Sequence, residues 1–163
     1  SHLTQGLFES KLHGLRHKVL VANLWDKRGQ LVFPASVILD VAGLRVGFVG
    51  VMVAMVTEKM ASKSLSAYLW SNPIEAAKAE AQKIEPEVDV LIGMTHIGLS
   101  QDRLLAKECD LFDIICGGHS HSVIETPELV GRTWISHTGS HGRFVGQYEW
   151  DGKVLSGGLV PLD

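Results

Sequence analysis

Three histidines carry the chemistry that this sequence offers. The run "VLIGMTH" ends in His96, and "DIICGGHSH" ends in His119 and His121. Neutral imidazole binds zinc, iron, nickel and copper, and together with carboxylates it builds hydrolytic sites. An ion held that way lowers the pKa of water and neutralises charge on phosphoryl oxygens. Spacing decides how far to take this. One histidine at a strand end is ordinarily a turn or capping residue, and for His96 alone that reading suffices. H-x-H after Gly117-Gly118 is evenly balanced between a polar turn and a ligand pair. Imidazoles at the ends of two consecutive buried runs tip the balance toward metal. Gly117 and Gly118 are then loop-shaping residues, free to take torsions that others resist and so to aim the histidines.

The remaining candidates have simpler uses. His13 and His17 lie four apart among polar and basic neighbours, as on a solvated helix face. His137 and His141 flank "TGS" and read as turn or strand-end residues. No Ser, Cys or Asp stands in a nucleophile motif, and Cys116 reads as buried strand rather than reactive thiol. Cys109 and Cys116 lack the CxxC spacing, so they read as reduced or buried and fix no compartment. The four tryptophans are scattered, as expected of residues in a core or at its edge.

For the histidines to share a site, their strands must be neighbours, and the pattern predicts that they are. Asn72 is a helix N-cap, Pro73 fits the first helical position, and "IEAAKAEAQKI" is rich in helix formers. Val88–Met94 is a continuous apolar run of the kind buried on both faces. Ser100 then caps "QDRLLAKEC", with Leu104 and Leu105 inward, and "FDIICGG" is a second buried strand. Helix, strand, helix, strand predicts βαβ units and a parallel sheet, whose ligands gather outside the carboxyl ends of the strands. Upstream, His17–Asp26 reads as a strand closed by a turn at Lys27–Gln30. "LDVAGLRV" reads as a hairpin, and "SLSAYLW" as a short helix or irregular connection. Downstream come short strands, with Asp151-Gly152 the strongest hairpin signal in the chain.

The bulk properties exclude several classes. At 163 residues the chain fits one domain, and 45% hydrophobic with 20% charged residues is ordinary for a folded protein. A formal charge of −3 and a pI near 6.2 offer no broad basic surface, which disfavours nucleic acid as the partner. The longest apolar stretch, Val46–Val56, is too short to span a bilayer, which needs about 20 residues. No charged-then-apolar leader opens the sequence, and Ser1-His2 reads as the scar of a removed tag.

The stretch "NPIEAAKAEAQKIEPEVDVLIGMTHIGLSQDRLLAKECDLFDIICGGHSH" resembles the calcineurin-like metallophosphoesterases, in particular the 5′-nucleotidase and UDP-sugar hydrolase branch. That branch has a strand ending in Thr-His-x-Gly, a helix of D-x-x-L-A type and a strand ending in Gly-Gly-His-Ser-His. "HTGSHGRFVG" is similar to the Gly-Ser-x-Gly-Arg segment that follows, and "HKVLVANLWD" and "VGFVGVM" to earlier strands. The resemblance implies an α/β fold, half of an αββα sandwich, with mainly parallel strands and a C-terminal antiparallel β segment. It implies that His96 and His119 bind one divalent ion and His121 a second, the ions being zinc, manganese, iron or similar. The substrate it implies is a nucleotide or other small phosphoester, and for many members the location is periplasmic or extracellular.

The departure from the family pattern is equally specific. The early D-x-H, the segment with the bridging aspartate, and G-N-H-[DE] with the catalytic histidine are absent from these residues. Residues 1–163 therefore read as a single, incomplete phosphoesterase domain, inactive alone and without an assured metal of its own. "VLVANL", "VGFVGVM" and "VLIGM" read as strands left partly uncovered, which implies self-association. The alternative is a short non-catalytic module for metal binding or interaction. D-x-H and G-N-H-[DE] encoded upstream of residue 1 would decide for the enzyme.

Overall fold

The structure is a computed structural model and describes residues 19–57, 59–64 and 66–162. His13, His17 and the opening segment lie outside the described residues. The strands are β1 (Leu24–Asp26), β2 (Ser36–Val41), β3 (Leu44–Met52), β4 (Tyr68–Trp70) and β5 (Val90–His96), then β6 (Ile114–Gly117), β7 (Glu128–Val130), β8 (Thr133–His137), β9 (Phe144–Trp150) and β10 (Leu155–Pro161). Two α-helices join them: α1 (Pro73–Ile84) and α2 (Leu99–Glu108). A six-stranded sheet runs β2-β3-β5-β6-β8-β7, with the four inner strands parallel and both edge strands antiparallel. Antiparallel ribbons β1-β4 and β9-β10 stand beside it.

Helix α1 forms as its sequence predicts. The Asn72 side chain accepts from the backbone N–H of Ile74 at 2.9 Å and of Glu75 at 3.2 Å, satisfying donors that no helical carbonyl reaches. Ile74, Ala77, Ala81 and Ile84 form one buried stripe, packed with Val49 and Leu91 of the sheet. Helix α2 differs from expectation. Ser100 does not cap it; the helix begins at Leu99, after Gly98 at φ 90°. Its first N–H, from Leu99, donates to Ser120 Oγ at 3.1 Å, so a distant loop supplies the missing acceptor. Leu105 is buried, but Leu104 is 39% exposed, and Asp102 takes the expected inner place.

Two other elements depart from the sequence reading. Of the run read as strand His17–Asp26, the described residues form strand only at Leu24–Asp26; Val21 and Ala22 bond irregularly to Pro34 O and Gly50 O instead of entering a ladder. A side chain at Gly50 would collide with Leu20 O, so the glycine admits this close backbone approach. "SLSAYLW" contributes strand β4, held by pairing with β1. The hairpins stand as predicted: Ala42-Gly43 turns with φ of 51° and 86°, and Asp151 Oδ1 accepts from Lys153 N and Val154 N.

Both helices cover one face of the sheet. Leu91, Gly93 and Thr95 of β5 point toward them, while Met94, on the opposite face, is 47% exposed. The β9-β10 ribbon ties down near that second face: Ser136 Oγ donates to Tyr148 Oη at 2.9 Å, and Trp134 Nε1 donates to Lys153 O at 3.0 Å. The β3 and β5 runs, read as partly uncovered, are interior strands; the sheet edges are β2 and β7. Among the described residues no helix is long and apolar enough to cross a membrane.

Candidate metal-binding rim

Strands β5 and β6 are adjacent and parallel, with Met94 opposite Cys116, so their carboxyl ends open on the same rim. His96 is the last residue of β5, and His119 follows β6 by two residues. Their rings meet edge to face with centroids 5.1 Å apart. Both are exposed, and neither ring nitrogen bonds to another described residue. His121 turns away to a second pair: its ring lies 5.9 Å from that of His141, which precedes β9. His141 Nδ1 sits 2.8 Å from Ser140 Oγ. The three histidines singled out in the sequence thus lie on one rim, divided between two imidazole pairs. His141, read there as a turn residue, completes the second. Among the described residues no group of three or more His, Cys, Asp or Glu is placed to hold an ion.

The torsional strain falls on the histidines, which corrects the role expected of the glycines. Neither Gly117 nor Gly118 has a positive φ, whereas His119 has φ 82° and His121 φ 55°. Left-handed backbone costs a residue with a Cβ roughly 1–2 kcal/mol, so the surroundings impose it. Gly117 and Gly118 shape the loop through space. A Cβ at Gly117 would overlap Asp102 Oδ2 and His137 Nε2, and one at Gly118 would lie 3.1 Å from His96 Nδ1.

Beneath the rim is a polar network that the sequence reading missed. Asp102 is fully buried; its Oδ1 accepts from Thr95 Oγ1 at 2.6 Å, and its Oδ2 lies 2.7 Å from His137 Nε2. His137 is itself 1% exposed, bonded beneath the rim rather than standing on it. The available signal is Asp102 on the helical face that also carries Leu105 and Ala106. Asn23 is a second such residue. Its Nδ2 donates to Met52 O at 2.8 Å and Ser71 O at 3.1 Å, and its Oδ1 accepts from Met52 N at 3.0 Å. It thereby fastens the end of β3 to the start of α1.

A cleft of about 670 Å³ opens beside His96 and Gly118, with Met94, Ser136 and Tyr148 on its walls. Cys116 also lines it, and burial, aided by the Asp102 carboxylate, pushes that thiol's pKa up. Exposed imidazoles suit borderline divalent ions. The His96–His119 pair therefore fits part of a metal site, two donors of the three or four that a protein-held ion requires.

No protein-family model matches the chain. It is 33% identical over 134 residues to an apyrase of Tabanus yao, covering 73% of this chain and 23% of that protein. In fold it is similar to the sulfate thiohydrolase SoxB of Thermus thermophilus, with a TM-score of 0.84 at 23% identity, covering 96% of this chain and 30% of that one. It is similar also to a 5′-nucleotidase precursor from the same organism, with a TM-score of 0.79 at 21% identity, covering 96% and 36%. The chain spans less than a quarter of the length of the curated relatives it matches first.

Proposed function

We propose that this chain, which belongs to the calcineurin-like metallophosphoesterases of the 5′-nucleotidase branch, supplies the imidazole ligands of a binuclear phosphoesterase. His96 and His119 would hold one divalent ion and His121 the second. The observation that carries the reading is the His96–His119 pair, two unbonded rings 5.1 Å apart at the ends of adjacent parallel strands. When bound, such ions supply Lewis acidity toward phosphoryl oxygens and an acidified water. The chain's own residues orient that chemistry: Gly118 leaves room beside His96, and the cleft past Met94 and Tyr148 gives a phosphoester access. Nucleotides are the proposed substrate class, by analogy with relatives named as apyrases and nucleotidases.

Residues 1–163 form one incomplete domain in this reading, and the bridging carboxylate and catalytic histidine come from outside them. Calorimetry with Zn²⁺ tests the ligand assignment. His96→Ala and His119→Ala should each weaken binding beyond the roughly 10- to 100-fold cost of losing a supporting partner. Unchanged affinity in both variants would sink the assignment. The pure chain should not turn over a nitrophenyl phosphodiester, and chelator-sensitive turnover would show that the site is complete here. Self-association across the exposed sheet face around Met94 is part of the same proposal. Light scattering that returns a monomer at all concentrations would remove it.

A further inference from the structure

We propose that Asp102 is the positioning residue of the histidine rim, fixing His96 and His119 through their strands. The inference rests on the reading of those two histidines as a ligand pair. Three links converge on the amino end of α2. The Asp102 carboxylate, wholly buried, takes the Thr95 hydroxyl through Oδ1, and Thr95 is bonded directly to His96 along β5. Its other oxygen meets His137, which stands opposite Gly117 in the β6–β8 register. A Cβ at Gly117 would overlap both members of that pair, so the backbone two residues before His119 is seated on them. One turn earlier, Gly98 N donates to Gly118 O at 3.0 Å, and Leu99 N donates to Ser120 Oγ. The amino end of α2 thus grips the end of β5 and the loop after β6 at once, with the carboxylate meeting Thr95 on one oxygen and His137 on the other.

A merely structural role would let stability fall while the rim kept its shape. A positioning role moves the rim itself. Nuclear Overhauser effects between imidazole ring protons in carbon–proton spectra, assigned with single histidine variants, read the His96–His119 ring contact directly, and Zn²⁺ calorimetry reads its consequence. Thr95→Val removes only the hydroxyl link, and Asp102→Ala removes the acceptor. Each should abolish the ring contact and weaken Zn²⁺ binding by roughly 10- to 100-fold, as loss of a partner that orients a ligand does. Thr95→Ser and Asp102→Asn keep the hydrogen-bonding shape and should restore both readouts. If Thr95→Val folds with the ring contact and the Zn²⁺ affinity of the parent chain, Asp102 does not position the rim. A parent chain that keeps the ring contact but binds no Zn²⁺ would remove the metal reading alone, and the spectra would still decide the role of Asp102.

Discussion

The parallel sheet and the C-terminal ribbon use similar residues to opposite effect. In the sheet, Leu91, Ile115 and Ile135 are buried to 1% exposure or less, between neighbouring strands and two helices. In β9, residues alternate between half-buried and exposed, and Val145 of that strand and Val160 of β10 face solvent. The sheet is packed on all sides of these residues; the ribbon buries Leu155 and is tied down through Tyr148 and Lys153, but leaves much of its side-chain surface open. Three rim histidines, His96, His119 and His121, extend from the packed part, and His141 comes from the turn that leads into the ribbon. Chemistry that needs fixed geometry has its main supports in dense core, where a displaced side chain has nowhere to go.

The largest expected effect sharpens that contrast. Ile115→Ala should cost about 2–5 kcal/mol in urea unfolding, as buried aliphatic truncations do, whereas Val145→Ala should stay within about 0.5 kcal/mol. Equal losses would erase the distinction. Next is Gly157→Ala, which attacks the ribbon where it is vulnerable. Gly157 sits at φ 117°, and a Cβ there would run into Gln147 O. A loss of about 1–3 kcal/mol is expected, with amide exchange quickened in β9 and β10 but not in β5 or β6.

His119→Gly probes the rim between the two regions. Relief of left-handed strain should outweigh glycine's added unfolded-state freedom and raise stability by about 0.5 kcal/mol. Zn²⁺ binding should fall in the same variant. A variant that loses stability would place the cost of φ 82° elsewhere. The smallest effect is on the acid side. The Arg103 guanidinium bonds Glu128 through two nitrogens, at 2.9 and 2.7 Å, and this hydrogen bonding holds the carboxyl below its ordinary value. A depressed carboxyl stabilises the fold above its unfolded pKa of about 4.3, and the contribution is lost as pH falls through the lower folded value. The pair is partly exposed, so Glu128→Gln should remove only about 0.5 kcal/mol at neutral pH and nothing at acid extremes. An equal loss at both pH values would show that charge is not the cause.

Features written locally are legible in the sequence. Asn72-Pro73 announces α1, Asp151-Gly152 announces the last hairpin, and two apolar runs ending in histidine announce the rim. What escapes depends on partners far along the chain. Ser100 reads as the cap of α2 because it precedes the helical run, but Ser120 is the residue whose oxygen reaches Leu99 N. Asp102 breaks the apolar pattern of its helix visibly, yet nothing near it names His137 as its neighbour. Gly117-Gly118 invites a torsional explanation because glycine permits one. Only packing reveals that the absent Cβ is what matters at position 117.

The borrowed cap of α2 also couples two parts of the chain that lie 21 residues apart. No side chain next to Gly98 caps this helix, so the Leu99 N–H meets its protein acceptor only when residue 120 is in place. The helix end and the histidine loop are therefore one unit, joined through Gly98 N to Gly118 O and Leu99 N to Ser120 Oγ. A change that displaces residue 120 would loosen the start of the helix together with the loop that carries His119 and His121.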